Sequence, residues 1–217
     1  VSQRTFSIWF KRDGTTTDFL ASRDDGVNRM WSLYVYGNVL SYDFKLTGNV
    51  GKFTSGSASI SVDTWHHVLW TNDGTNQVLY LNGSVDGTSS HAGTMQNADI
   101  SLYLGRRSSS YFNGKIGQTA MWNKALSATE VSAIYTLGRH GNILDSYSDN
   151  LVGYWAMSAL DAKTGLSDVG DGTIYDRSGN SNHGTATNTE SADLKSSPNA
   201  EPNGYAKGDT NRSTTTP

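Results

Sequence analysis

FNGKIGQTAMWNKALSATEVSAIYTLG, Phe112 to Gly138, begins as a strand and ends as a helix. Ser127 and Glu130 have the spacing of a capping box, in which the serine oxygen accepts a backbone N–H and the glutamate reaches back to the cap. Leu126 before the cap and Val131 after it have the spacing of a hydrophobic staple. Val131, Ile134 and Tyr135 recur at helical spacing, so one face is apolar. Gly138 follows the last turn, where a residue without Cβ closes a helix at no steric cost. A helix of about three turns does not persist alone in water. This one must dock its Val131/Ile134/Tyr135 face on something larger.

The larger body is made of strands. Phe6, Ile8 and Phe10 alternate with Ser7, Trp9 and Lys11, and Asp13-Gly14 ends the run. Asp18 to Arg23 is a second candidate strand. Trp31, Leu33 and Val35 alternate with Ser32, Tyr34 and Tyr36; Gly37-Asn38 then turns the chain and Val39 to Lys45 returns, a hairpin with a two-residue primed turn. Trp65–Asn72 and Gln77–Asn82 flank Asp73-Gly74-Thr75-Asn76 as another hairpin. Leu102–Leu104 and Lys115–Asn123 read as further strands, Gly141–Asn150 as loop, and Leu151–Trp155 as a short apolar strand. Many short antiparallel strands and one helix predict two packed sheets, with the helix plugging an open edge or end.

Composition agrees. The 217 residues are 35% hydrophobic and 17% charged, with 23 glycines, which suits short strands and tight turns. A net charge of −3 and no dense Lys/Arg patch give no reason to expect a nucleic-acid partner. No apolar run approaches the roughly 20 residues of a membrane span, so membrane insertion is not expected. The absence of cysteine removes disulfides, thiol catalysis and zinc–cysteine sites. The chain opens on a strand without an initiator Met, which reads as a piece of a longer polypeptide. The stretch from about Ser196 to Pro217 holds all three prolines and little to bury, so residues 189–217 are expected to form an extended or mobile tail.

FSIWFKRDG, TWHHVLWTNDGTNQVLYLNG and LYLGRRSSSYFNGKIGQTAMWNKALSATEVSAIYTLG resemble, in order and spacing, the laminin-G-like, concanavalin-A-like jelly-roll family. The residues that carry the likeness are Trp65, His67 and Val68; Tyr80, Asn82 and Gly83; and Phe112, Gly114, Ile116, Ala125, Leu126, Ser127, Glu130 and Val131. The resemblance implies an all-β, two-sheet antiparallel jelly-roll sandwich with one short edge helix at about 127–137. LVGYWAM … TIYDRSGNSNHGTATN, Leu151 to Asn188, also resembles this family, in an element that more commonly opens the domain. Residues 1–188 are therefore expected to form the sandwich, with 151–188 either completing it or starting a second copy. Domains with this late element look like those of virion surface proteins of marine bacteriophages.

Jelly rolls of this shape also host glucanases, so paired carboxylates matter. Retaining glycoside hydrolysis needs two carboxyls about 5 Å apart. The chain has three glutamates, Glu130, Glu190 and Glu201, and no strand carries an alternating acidic pair. The expectation is a non-enzymatic protein. His66 and His67 point to opposite faces of a strand and cannot chelate one ion together; ordinary packing is the plainer reading. No G-x-S-x-G elbow is present, and Ser57 lies only in the loosely similar GSAS.

Asp176-Arg177-Ser178-Gly179-Asn180-Ser181-Asn182 sets Asp and Asn oxygens in a glycine turn, which suits calcium. The same side chains equally build an Asx-turn network. Asp24-Asp25-Gly26 is a second acidic turn, and no cofactor is required by either. Exposed aromatic rings can stack on the apolar faces of sugars; Trp9, Trp31, Tyr34, Tyr36, Tyr42 and Tyr111 are the candidates. Tyr34 and Tyr36 share a face opposite Leu33 and Val35, as a glycan platform or a subunit contact. Arg106-Arg107 beside Ser108–Tyr111 is a loop able to grip an acidic glycan, or a solvated turn.

The expected function is a virion-surface structural, decoration or fibre module of a phage that binds glycans. Its partners would be other virion subunits, host surface polysaccharide or further copies of itself. The alternative is a carbohydrate-binding module of a secreted bacterial enzyme or adhesin. Either places it at a virion surface or outside the cell.

Overall fold

The computed structural model describes residues 3–157, 173–186 and 206–207. Two antiparallel sheets face each other. The first runs β13 (Leu151–Trp155), β12 (Gly114–Trp122), β1 (Arg4–Arg12), β6 (Trp65–Asn72), β7 (Asn76–Leu81), β8 (Ser84–Ser90). The second runs β5 (Val50–Ser55), β4 (Val39–Leu46), β3 (Arg29–Tyr36), β2 (Asp18–Asp24), β9 (Tyr103–Leu104). Short pairs complete the strands: β10 (Arg106–Arg107) with β11 (Ser110–Tyr111), and β14 (Thr173–Ile174) with β15 (Gly184–Thr185). β16 (Ala206–Lys207) pairs with β12 at Ile116 and Lys115. The rest of the expected tail, with Glu190 and Glu201, lies outside the described residues.

Alternation decides what the sheets enclose. Phe6, Ile8 and Phe10 of β1 and Val68 and Trp70 of β6 face Trp31, Leu33, Val35, Leu40, Tyr42 and Phe44 of the second sheet. Trp70 lies at the centre, its ring 4.2 Å from Tyr42 and 6.1 Å from Trp31, and its indole N–H donates to Gln77. Trp31 and Tyr42 are thus core residues and not sugar platforms. Alternation could have placed both: Trp31 shares a face of β3 with Leu33 and Val35, and in β4 Leu40, Tyr42 and Phe44 share one face, with Tyr42 paired to inward Leu33. The β3–β4 turn has positive φ at both Gly37 and Asn38, as a primed two-residue turn requires.

An ion pair joins the sheets through this core. Arg12 Nε of β1 lies 2.9 Å from Asp18 Oδ2 of β2, with both side chains fully buried. Arg12 also donates to Asn38 Oδ1 and to the Thr16 carbonyl. Burial pushes the Asp18 carboxyl up, with Arg12 opposing it.

The first sheet is buried on its second face as well. The helix α1 (Ala128–Leu137) lies across that outer face and not at an edge. Both capping-box bonds are present, and Lys124 sits 2.6 Å from Glu130, whose carboxyl these contacts hold down to about 2. Val131 and Ile134 pack on Leu69, Tyr80, Ala120, Trp122 and Tyr154. Tyr135 stacks on Trp9 and His67, which makes Trp9 another buried ring rather than an exposed one. The segment expected to be loop includes a second, four-residue helix α2 (Leu144–Tyr147), and Trp122 Nε1 donates to its Tyr147 carbonyl. Edge placement failed because it counted one apolar face per strand. Ser7, Trp9, His67 and Leu69 form a second buried face that needs a cover.

The two histidines indeed part. His66 packs on Phe10 in the interior, while His67 lies under the helix with Nε2 at 2.7 Å from Ser7 Oγ. Burial lowers His67 to about 3, and His66 in the same direction.

Two outcomes follow. Ser127→Ala removes the cap of the covering helix and should cost about 1 kcal/mol in urea unfolding; no change would show that the helix is held by packing alone. Between the unfolded His67 value of 6.5 and about 3, the unfolded chain takes up a proton that the folded one refuses. The His67 contribution to stability should therefore fall by about 2 kcal/mol from pH 7.5 to 5. A flat melting temperature across that interval would contradict a buried neutral His67.

Candidate functional site

With the helix over the first sheet, the outer face of the second sheet is left without a cover among the described residues. Its register lays out two rows across the strands. One is Phe53, Asp43, Ser32, Ser22 and Tyr103, from β5 to β9. The other is Ser55, Ser41, Tyr34 and Phe19. The serines are small and buried, so larger neighbours lie over them. Phe19 and Tyr34 pack ring to ring at 5.3 Å. Tyr36 is 64% exposed and Phe53 57%, which is high for aromatic side chains on a sheet.

Toward β9 the face turns ionic. Asp24 Oδ2 receives Arg29 Nε at 2.8 Å and Arg107 Nε at 2.7 Å, and Arg29 Nη1 reaches Asp43 Oδ2 at 3.1 Å. Asp24 Oδ1 accepts the Gly26 N–H. Arg107 lies over the Phe19 ring. Arg106 lies over both Tyr103, at 5.0 Å, and Tyr111, at 5.6 Å, with its Nε donating to the Ser108 carbonyl. Burial raises the Asp43 carboxyl, and Arg29 works against that rise. Burial also raises the Tyr34 phenol, and nearby Asp43 adds to it.

Tyr34 and Tyr36 come from β3 and Arg106, Arg107 and Tyr111 from the β10–β11 pair; the structure brings Arg107 onto Phe19, which packs on Tyr34, and Arg106 onto Tyr103 and Tyr111, while Tyr36 stands apart at the turn end of β3. Sequence reasoning missed Phe19, Arg29, Asp43, Phe53 and Tyr103. The signal for Asp43 was available, since it alternates with the inward Tyr42 and Phe44. Phe53 was hidden because β5 is an exposed edge strand with little apolar alternation.

The acidic turns are occupied by local bonds. Asp24 is the anchor of two arginines. Asp25 accepts the Val27 and Asn28 N–H groups and the Asn28 amide, which holds its carboxyl below the usual range. Asp176 receives Tyr154 N and Ser178 N on one oxygen, and Ser178 Oγ and Asn182 N on the other. Burial opposes its ionisation, but these donors outweigh burial and lower its pKa. Asn180 and Asn182 donate to the Leu151 and Val152 carbonyls, so the turn is stitched to β13, which itself pairs with β12. Among the described residues no group of three or more His, Cys, Asp or Glu gathers as a metal site.

The architecture has clear relatives of low identity. A Bacteroides ovatus protein proposed to bind carbohydrate matches with a TM-score of 0.62 at 17% identity, over 86% of this chain and 52% of its own. This chain thus spans about half of that protein. The CBM40 of a Ruminococcus gnavus IT-sialidase, bound to α2,3 sialyllactose, gives 0.52 at 18% identity, over 61% of this chain and 82% of its own. A heptameric SAP-like pentraxin from Limulus polyphemus gives 0.52 at 20%, over 64% and 71%. At these identities the likeness is one of fold. No curated protein matches the sequence. The laminin G family described as the concanavalin A-like lectin/glucanases superfamily matches residues 1–132, and the chain belongs to that family.

Proposed function

We propose that the protein is a non-catalytic glycan-binding module whose site is the outer face of the second sheet. The observation that carries this reading is the exposure of Tyr36 and Phe53 on the same sheet face as an ordered Asp24–Arg29–Asp43–Arg107 network. Flat rings stack on the apolar faces of sugars, and the fixed carboxylates and guanidinium groups offer acceptors and donors to hydroxyls. The sheet and its ion pairs hold these groups before any ligand arrives, so little ordering entropy is spent on binding. Two of the fold neighbours point the same way: one is proposed to bind carbohydrate, and one was solved with a sialylated sugar. Glu130, the one described glutamate, is committed to its helix cap and to Lys124.

An open face of this kind binds weakly, and several copies on one particle would raise its avidity. That arrangement fits the setting we propose, the surface of a phage virion, where neighbouring subunits and host polysaccharide would be the partners. The likeness of Leu151–Asn188 to virion surface domains supports it. A module of a secreted enzyme or adhesin would use the same face. Immunogold labelling of intact particles separates the two settings.

Tyr36→Ala and Phe53→Ala, read by glycan array and then by calorimetry on the best array hit, should each weaken binding about tenfold. Affinity unchanged by both substitutions would place the site elsewhere.

A further inference from the structure

The face proposed above has two chemically different ends. Phe53 lies on β5 and Tyr103 on β9, in one cross-strand row. Four strand spacings separate them, about 19 Å. From β3 toward the β9 end stand three arginines, Arg29, Arg107 and Arg106. Arg29 and Arg107 are matched by Asp24 and Asp43. Arg106 is different: among the described residues no carboxylate pairs with it. Its guanidinium is fixed by the Tyr103 and Tyr111 rings and by the Nε bond to Ser108 O. Those contacts use the ring face and one nitrogen. The two Nη groups remain as a planar fork on a half-buried side chain. Such a fork matches a carboxylate in bidentate fashion, and aromatic support removes the rotamer entropy that a free arginine would lose.

We propose that Arg106 grips a sugar carboxylate, so that the ligand class is an acidic polysaccharide of uronic or sialic acid type. It would span several sugars, with one carboxylate on Arg106 and neutral ring faces stacked toward Phe53 and Tyr36. This rests on the assignment of the second-sheet outer face as the glycan site.

The test is calorimetry of the whole chain against polygalacturonate, alginate and polysialic acid, each beside its carboxyl-reduced counterpart, with dextran sulfate as a fourth polymer. At least one native polymer should bind about tenfold or more tightly than its reduced form. The preference should shrink as salt rises. Arg106→Gln should abolish the preference, so that native and reduced polymers bind with the same affinity. Arg106→Lys, which keeps charge but loses the fork, should restore only part of it. Equal affinity for native and reduced polymers would overturn the carboxylate assignment while leaving the glycan face standing. So would a stronger preference for dextran sulfate, or a preference that survives Arg106→Gln. Binding to none of these polymers, with Tyr36→Ala silent on a glycan array as well, would overturn the face itself and the carboxylate with it.

Discussion

A two-sheet sandwich has two outer faces, and among the described residues α1 is the only helix of more than one turn with which to cover them. α1 covers the face of the first sheet, where Ser7, Trp9, His67, Leu69 and Trp122 would otherwise meet water. That choice is set by the chain itself. β12 leads directly through Leu126 into the Ser127 cap, and the staple and capping box turn the helix back over the sheet that β12 belongs to. Thr5 fixes the turn further, since its hydroxyl donates to Lys124 O and accepts from Leu126 N. The second sheet is left to manage its outer face with side chains alone.

It does so with charge and stacking. Asp24 is almost fully buried yet satisfied by two arginines and the Gly26 N–H. A buried carboxylate is tolerated only when its oxygens are matched, and the cost of undoing such a match is large. Phe19 gives Tyr34 and Arg107 a common surface, and the small serines beneath let these groups lie flat. A face organised in this way presents rings and ions in fixed positions. Shape on this face and chemistry along it are therefore separable: in the proposed reading Tyr36 and Phe53 would set where a sugar lies, and the arginines what kind of sugar it is.

Much of this was legible from residue order, because period-two alternation and turn chemistry are local. The Gly37-Asn38 hairpin, the Ser127 capping box and the outward Tyr34 and Tyr36 needed no knowledge of distant contacts. What was illegible depended on pairing between strands far apart in sequence. Trp9 looks like an exposed aromatic until the helix buries it, whereas the alternation of Trp31 with Leu33 and of Tyr42 with Leu40 and Phe44 already pointed inward. β5 and β8, with the sequences VGKFTS and SVDGTSS, are edge strands that satisfy hydrogen bonds on one side and carry few apolar side chains. Asp24 read as part of an acidic turn, because its partner Arg107 lies 83 residues away. Tertiary pairing of this kind leaves no periodic trace.

Mapping by nuclear magnetic resonance tests ligand binding on the outer face of the second sheet most directly. An acidic oligosaccharide titrated into labelled protein should move the signals of Tyr34, Tyr36, Phe53 and the Arg106 guanidinium while leaving Val131, Ile134 and His67 in place. Shifts gathered on the α1 side, around Ala128, Ser132 and Leu137, would contradict it.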